Sequence, residues 1–405
     1  MTRLQIKPLA FDKNDETLYG SKEITLDGKK IFTPIVSLDT RHITHNDQLA
    51  DAAKGLNEIY RQLETRKHPL EGIIFNRKRQ DNFNSKLQTE HNRGNSQKEL
   101  TLCILEYAGA RFPLGRELEF ILDTTYLFSD IVPLPTLPKM TAAIDEKSKF
   151  DKYRIFQEEI IRFLRSNKHE KPIMGVIPRL AYAFVADLME VYIDNDINAF
   201  YVDFEARNPT TFKQNLLPVF RTLAQHDMTE KSFIYAHNID VGRIVKASDV
   251  INAKNILSFG FGFDAMGRRH KKRQMPEKAR QKIDMSSRRL RLFNKNDYGY
   301  YRILNPRGIR EIYPSDSSIP INAFSRGFLG NLHTLRRYEK LFNTEQLGLE
   351  AFRVRQIVKD YVPTKYLATK QHVKGKHIKL IKRFKDNISR KKSNQKSLLD
   401  IFSLL

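Results

Sequence analysis

The sequence predicts an α/β fold built on a parallel sheet, with a mainly helical, basic C-terminal extension. Three observations predict it. Short apolar runs rich in β-branched residues recur at Ile31–Val36, Phe120–Leu122, Ile173–Ile177, Ala199–Val202, Phe233–Ala236 and Ile256–Phe259. Helix-like stretches, Arg179–Tyr192 and Thr211–Ala224, lie between the later ones. The repeat of about 25 to 30 residues is that of βαβ units, whose strands are buried on both faces and read as continuous apolar runs. The 405 residues suit a closed (β/α)8 TIM-like barrel. An open doubly wound sheet fits the periodicity equally.

The elements divide the chain. Residues 1–300 form the barrel, interrupted at 80–99 by a polar segment almost without apolar residues, which reads as a surface loop. Residues 301–364 form a helical extension, where Leu335, Leu341, Leu347, Leu349, Phe352 and Ile357 are the apolar positions of Leu332 to Tyr361. Residues 365–405 read as a flexible basic tail: Lys365 to Lys396 carries twelve Lys/Arg against the single acid Asp386.

Charge indicates the partner. Lys+Arg total 70 against 47 Asp+Glu, a net charge of +23. A polyanion relieves that self-repulsion; nucleic acid is the usual one and an anionic membrane surface the alternative. No apolar run is long enough for a membrane span, and the first ten residues lack a signal-peptide core, so the expected location is the cytoplasm, at the nucleoid. Cys103 is the only cysteine, which excludes disulfides and thiolate-rich metal sites and reads as a buried core thiol. His42 and His45 lack partners at metal-ligand spacing.

Three carboxylates follow apolar runs: Asp123, Asp203 and Asp264. In parallel α/β proteins catalytic groups gather at strand ends, and paired carboxylates serve glycosidic-bond chemistry. Strand-end aspartates also cap turns, which is the plainer reading of any one of them. His237 follows a strand and lines a pocket or fills the core. Gly260 and Gly262 form no phosphate loop, but let a ring or sugar approach the backbone. Tyr126, Phe204 and Phe263 are candidates to stack on a base. Met266 to Arg291 holds eleven Lys/Arg and two acids; Arg268, Arg269, Lys271, Lys272 and Arg273, extended by Arg288, Arg289 and Arg291, are candidate phosphate contacts.

Two family resemblances follow from these segments. Gln395, Leu398, Ile401 and Phe402 resemble the box by which replication and repair proteins bind the sliding clamp, at the terminal position usual in archaeal clients. Ile stands at the place of an aromatic. The resemblance implies a clamp partner, and favours DNA over tRNA.

The order of segments resembles the tRNA-guanine transglycosylase superfamily, including relatives that insert deazaguanine bases into DNA. Ile24 to Pro34 resembles its opening hairpin, Ile121-Leu122-Asp123 its Asp-Ser-Gly-Gly strand, Ile173 to Pro178 the strand ending in Gln-Gly, and Asn255 to Asp264 the strand presenting its nucleophile. Asn343 to Ile357 resembles its late helix. Thr124-Thr125-Tyr126 replaces the Ser-Gly-Gly, and the family's Cys3His zinc site has no counterpart beside a lone cysteine. Packing through Phe324, Phe328 and Leu332 would take its place.

This resemblance implies exchange of guanine in DNA for a deazaguanine-type base through a covalent aspartyl-sugar intermediate, without a cofactor. Asp264 would attack, Asp123 would handle protons and position the base, and Asp203 would contact the base or replace Asp264. The rival expectations are a catalytically inactive, clamp-tethered DNA-binding factor and an enzyme acting on tRNA.

Overall fold

The computed structural model describes residues 4–44, 46–64, 69–94, 97–166, 170–241, 249–270 and 289–402, with side chains as far as Ser389. The chain opens with an antiparallel sheet, β1 (Gln5–Phe11), β2 (Gly20–Leu26) and β3 (Lys29–Phe32). The parallel strands follow: β4 (Ile35–Val36), β5 (Leu38–Asp39), β6 (Leu56–Leu63), β7 (Leu100–Tyr107), β8 (Val132–Pro133), β9 (Ile173–Ile177), β10 (Ala199–Asp203) and β11 (Phe233–His237). Beyond the short strand β12 (Val250–Asn252), β13 (Ala265–Met266) is the last of them.

These parallel strands form two sheets, ordered β4-β13-β11-β10-β9-β8 and β5-β6-β7. The sheets meet at both edges. Only Ser37 separates β4 from β5, and an isolated parallel bridge joins Glu106 to Thr136, just after β8. Helices including Arg116–Phe128, Lys147–Ser166, Tyr182–Asp194 and Pro209–Gln225 connect the strands. Their apolar stripes pack on strands such as β9, β10 and β11, every residue of which is buried.

In a second antiparallel sheet, β15 (Gly299–Ile303) lies in the centre and pairs with β12 on one side and β14 (Leu290–Asn294) on the other. Five helices follow among the described residues: Pro306–Arg310, Ile321–Leu329, Leu332–Asp360, Pro363–Ala368 and Gly375–Phe402. Leu332–Asp360 lies close against the parallel strands' framework: a Cβ on Gly348 would stand 2.6 Å from Ala53 Cα. Phe324 and Phe328 are buried in a satellite core with Leu290, Leu292, Leu335 and Phe342, and Leu332 packs partly buried against it.

Several expectations are corrected. The polar segment 80–99 is largely the helix Arg77–Arg93, anchored by buried Phe83 and Leu87. Two apolar residues four apart make a narrow stripe, enough to seat a helix whose other faces are solvated. Phe120–Leu122 belongs to a helix, not a strand, and Ile256–Phe261 is a 3-10 helix. The expected flexible tail is helical: Ile381, Phe384 and Ile388 of Gly375–Phe402 enter the main core. Strands β6 and β7 are additions that the list of apolar runs lacked.

Candidate active site at the strand ends

Alternation along β6 sends Glu58, Tyr60 and Gln62 to one side and Arg61 to the other, where Arg61 pairs with Glu90 of the helix Arg77–Arg93. Registry places Gln62 opposite Glu106 on β7. Glu106 accepts from Tyr60 Oη at 3.1 Å and from Gln62 Nε2 at 2.9 Å. Across the gap, β10 and β11 pair Tyr201 with Tyr235 and Asp203 with His237, so these four share a face. The rings of Tyr201 and His237 lie 4.8 Å apart, and Tyr60 of the other sheet reaches His237 at 5.7 Å. Both sheets thus contribute to one buried polar cluster toward the C-terminal ends of the strands.

Asp203 is oriented by its neighbours. Its Oδ1 accepts from the Glu205 amide at 2.8 Å and from Asn238 Nδ2 at 3.2 Å. Asn238 has a φ of 54°, a left-handed turn that asparagine tolerates, and its Oδ1 accepts the His270 amide at 3.0 Å.

Glu58 is the centre of the cluster and is fully buried. Its Oε2 accepts from Ser37 Oγ at 2.9 Å and from the Tyr235 hydroxyl. Its Oε1 stands 2.6 Å from His270 Nε2 and 3.1 Å from His237 Nδ1. Burial pushes the Glu58 carboxyl up, but His270 and His237 outweigh it and hold it well below the usual carboxylate range. Asp39, at the end of β5, behaves alike: burial opposes its charge, and bonds from Arg41 and His42 prevail. Arg41 grips Asp39 through two nitrogens, at 2.9 and 2.6 Å, and Nη2 lies 2.6 Å from His270 Nδ1. The Tyr60 ring stacks on His270 at 4.3 Å. Burial, then Glu106, raises the Tyr60 phenol, so it stays protonated and donates its hydrogen bond to Glu106.

Gly267 closes this wall. A Cβ there would fall 2.0 Å from Tyr235 Oη and 2.8 Å from Glu58 Oε2, so only glycine lets the strand pass so close to the cluster.

Beside the cluster opens a cleft of about 240 Å³, lined by Asp39, Arg268, Arg269, Arg291 and Lys340 among others. Arg269 Nη1 contacts Asp240 at 2.7 Å. Withdrawal from water, then the Arg268 charge, brings Lys340 down to about 8.

The sequence candidates are now distributed unequally. Asp203 and His237 stand in the cluster. Asp264 does not: it precedes β13 instead of following a strand, and so faces the N-terminal ends. Its carboxylate is held by Lys22 at 3.0 Å and by the Ile234 amide at 2.9 Å. Burial raises its pKa, with Lys22 opposing. Asp264 lines a cavity of about 590 Å³ at that opposite pole, with Lys22, Asp12 and Gly262. Gly260 packs on Tyr19, and Gly262 on Phe220 and Leu18, so neither glycine meets the cluster. Asp123 is exposed on the helix Arg116–Phe128, and Tyr126 lies on the same helix under the Lys171 ammonium. An aspartate after Phe-Ile-Leu marks a strand end only if those three are a strand. Phe204 and Phe263 are core residues, 5.3 Å apart.

Of the basic candidates, Arg268, Arg269 and Arg291 line the cleft, and Arg289 is exposed beside β14. Lys271, Lys272, Arg273 and Arg288 lie outside the described residues. Gln395, Leu398, Ile401 and Phe402 fall in the last turns of Gly375–Phe402, with side chains outside the described residues.

Sequence reasoning missed Glu58, Glu106, Tyr60 and Gly267. The signal was present in Leu56–Leu63, where Glu58, Tyr60 and Gln62 alternate with Ile59, Arg61 and Leu63. Glu106 likewise ends the apolar run Leu100–Leu105.

No family model and no curated protein matches this chain. Among solved structures it is similar to a candidate dihydrodipicolinate synthetase from Pseudomonas aeruginosa, at 10% identity, covering 83% of this chain and 99% of that one, with a TM-score of 0.24. Among the described residues, no helix is long and apolar enough to cross a membrane.

Proposed function

We propose that the two parallel sheets, with β4 and β5 as one strand interrupted at Ser37, form one eight-stranded (β/α)8 ring, and that its C-terminal mouth exchanges a base in nucleic acid, with guanine in DNA the favoured substrate and a deazaguanine-type base entering. The observation that carries this reading is the placing of two buried carboxylates, Glu106 and Asp203, at the C-terminal ends of parallel strands beside a cationic cleft. Paired carboxylates are what cleavage and re-formation of an N-glycosidic bond require.

In this reading Asp203 replaces Asp264 as nucleophile. An Asp203 oxygen forms a bond to the anomeric carbon as the bond from that carbon to the base nitrogen breaks. The leaving base takes a proton from Glu106, which must first bind one on an oxygen that accepts from Tyr60 or Gln62 in the free protein. The incoming base returns a proton to Glu106 as its nitrogen displaces the aspartyl ester. Asn238 and the Glu205 amide hold Asp203 through one oxygen. The substrate base must leave its stack to reach these groups, at a cost of a few kcal/mol. Arg268, Arg269, Arg289 and Arg291 would hold the flanking phosphates, and the chain's terminus would tether it to a sliding clamp.

A second reading, a catalytically inactive DNA-binding factor, draws on the same cluster. Glu106 already accepts two internal hydrogen bonds, from Tyr60 and Gln62, as a purely structural carboxylate would. Labelled-guanine exchange separates the two. Exchange into DNA by the wild type, lost in Asp203→Ala, is the expected result. Exchange into tRNA alone would move the substrate, and turnover in neither polymer would leave the DNA-binding factor.

A further inference from the structure

Three segments bring a metal-ligand set together inside the cluster. Glu58 from β6, His237 from the end of β11 and His270 beyond β13 place one ligand atom each within 4.8 Å of the others. All three side chains are at most 1% exposed. They are remote in sequence, so no spacing motif announces them.

His237 supplies the second observation. It is completely buried, and among the described residues neither ring nitrogen has a hydrogen-bond partner of good geometry. Nδ1 approaches Glu58 Oε1 at 3.1 Å, but off the line an N–H donor needs. A buried polar atom left unmatched costs about 1–3 kcal/mol, so an orphaned ring is unusual unless something takes its lone pair. A metal ion does that, and Glu58 Oε1 faces both rings.

We propose that Glu58, His237 and His270 bind one divalent first-row transition-metal ion of the zinc class. Two imidazoles and one carboxylate suit such an ion and not Mg²⁺ or Ca²⁺, which take oxygen ligands. The surrounding groups supply the outer support. Ser37 and Tyr235 hold Glu58 Oε2 and leave Oε1 for the ion. With Nε2 of His270 on the metal, its Nδ1 carries the proton. Arg41 then gives up its contact with Nδ1, and Asp39, whose Oδ2 lies 3.7 Å away, becomes the acceptor. Arg41 keeps its two bonds to Asp39. The site stands independently of the base-exchange reading.

The test uses the full chain stripped with EDTA and titrated with Co²⁺, then Zn²⁺. One equivalent of Co²⁺ giving visible ligand-field bands, displaced by one equivalent of Zn²⁺ and not by Mg²⁺, is expected. His237→Ala should lose this binding with its near-ultraviolet circular dichroism retained, and Asp39→Asn should weaken it about 10- to 100-fold. Should His237→Ala not fold, zinc-edge X-ray absorption of the wild type decides, by showing two imidazole ligands or not. Substoichiometric binding by the wild type, undiminished binding in a folded His237→Ala, or a zinc spectrum without two imidazoles would overturn the proposal.

Discussion

Lys22 Nζ lies 3.0 Å from Asp264 Oδ2, and the two side chains are only 3% and 4% exposed. The same ammonium donates to the carbonyls of Thr229 and Ser232 at 3.0 and 2.7 Å. With the Ile234 amide on Asp264, this buried pair ties the N-terminal hairpin to β11 and β13. Removing one partner strands the other charge. Asp264→Ala should therefore cost roughly 3–5 kcal/mol, read from urea denaturation. The double change Lys22→Met with Asp264→Leu should recover much of that loss. If Asp264→Ala is as stable as the wild type, the pair does not fasten the hairpin to these strands.

Asp203→Asn and Glu106→Gln keep size and shape at the opposite pole. Each should lower guanine exchange by about 100-fold or more while circular dichroism remains native. Full exchange in Asp203→Asn would remove that aspartate from the chemistry.

At the cleft, Lys340 titrates near 8, drawn down by withdrawal from water and by Arg268. It is positive below that pH and neutral above it. Affinity for a DNA duplex should thus fall between pH 7 and pH 9, and Lys340→Met should flatten that dependence. Arg268→Ala should reduce the slope of log affinity against log salt by about 1 if it meets one phosphate. Fluorescence anisotropy at several salt concentrations reads both.

His377 is buried near the start of Gly375–Phe402. Burial, then the charges of Lys254, Lys376 and Lys374, push it from 6.5 to about 4. The folded chain resists the proton that the unfolded chain accepts. Its contribution is whole above pH 6.5 and is lost as pH falls toward 4. Unfolding free energies at pH 7 and 5 should differ by about 1–2 kcal/mol through this residue, and less in His377→Gln.

Phe384 meets Phe220 edge-on at 5.8 Å and Phe261 at 5.0 Å, so the terminal helix is part of the core. Phe384→Ala should cost about 3–5 kcal/mol by denaturant titration. Deleting residues 395–405 should leave stability unchanged and abolish binding to a sliding clamp in a pull-down.

The sequence by itself determined the parallel strands Ile173–Ile177, Ala199–Asp203 and Phe233–His237, because a strand buried on both faces must be a continuous apolar run. It therefore also marked Asp203 and His237, the first residues after the apolar stretches. It determined the strong positive charge, which is additive over residues. Only the tertiary structure decided where a run points. Asp123, Asp203 and Asp264 each follow apolar residues, but these are a helix, a strand and a 3-10 turn, and composition over three to six residues does not separate them. Nor could the sequence bring Glu58 to His237 and His270, since these meet across two sheets and far apart along the chain. Gly267 has meaning only when Tyr235 and Glu58 stand against its backbone. Local periodicity reports which face of an element is buried; what that face meets is fixed by long-range packing.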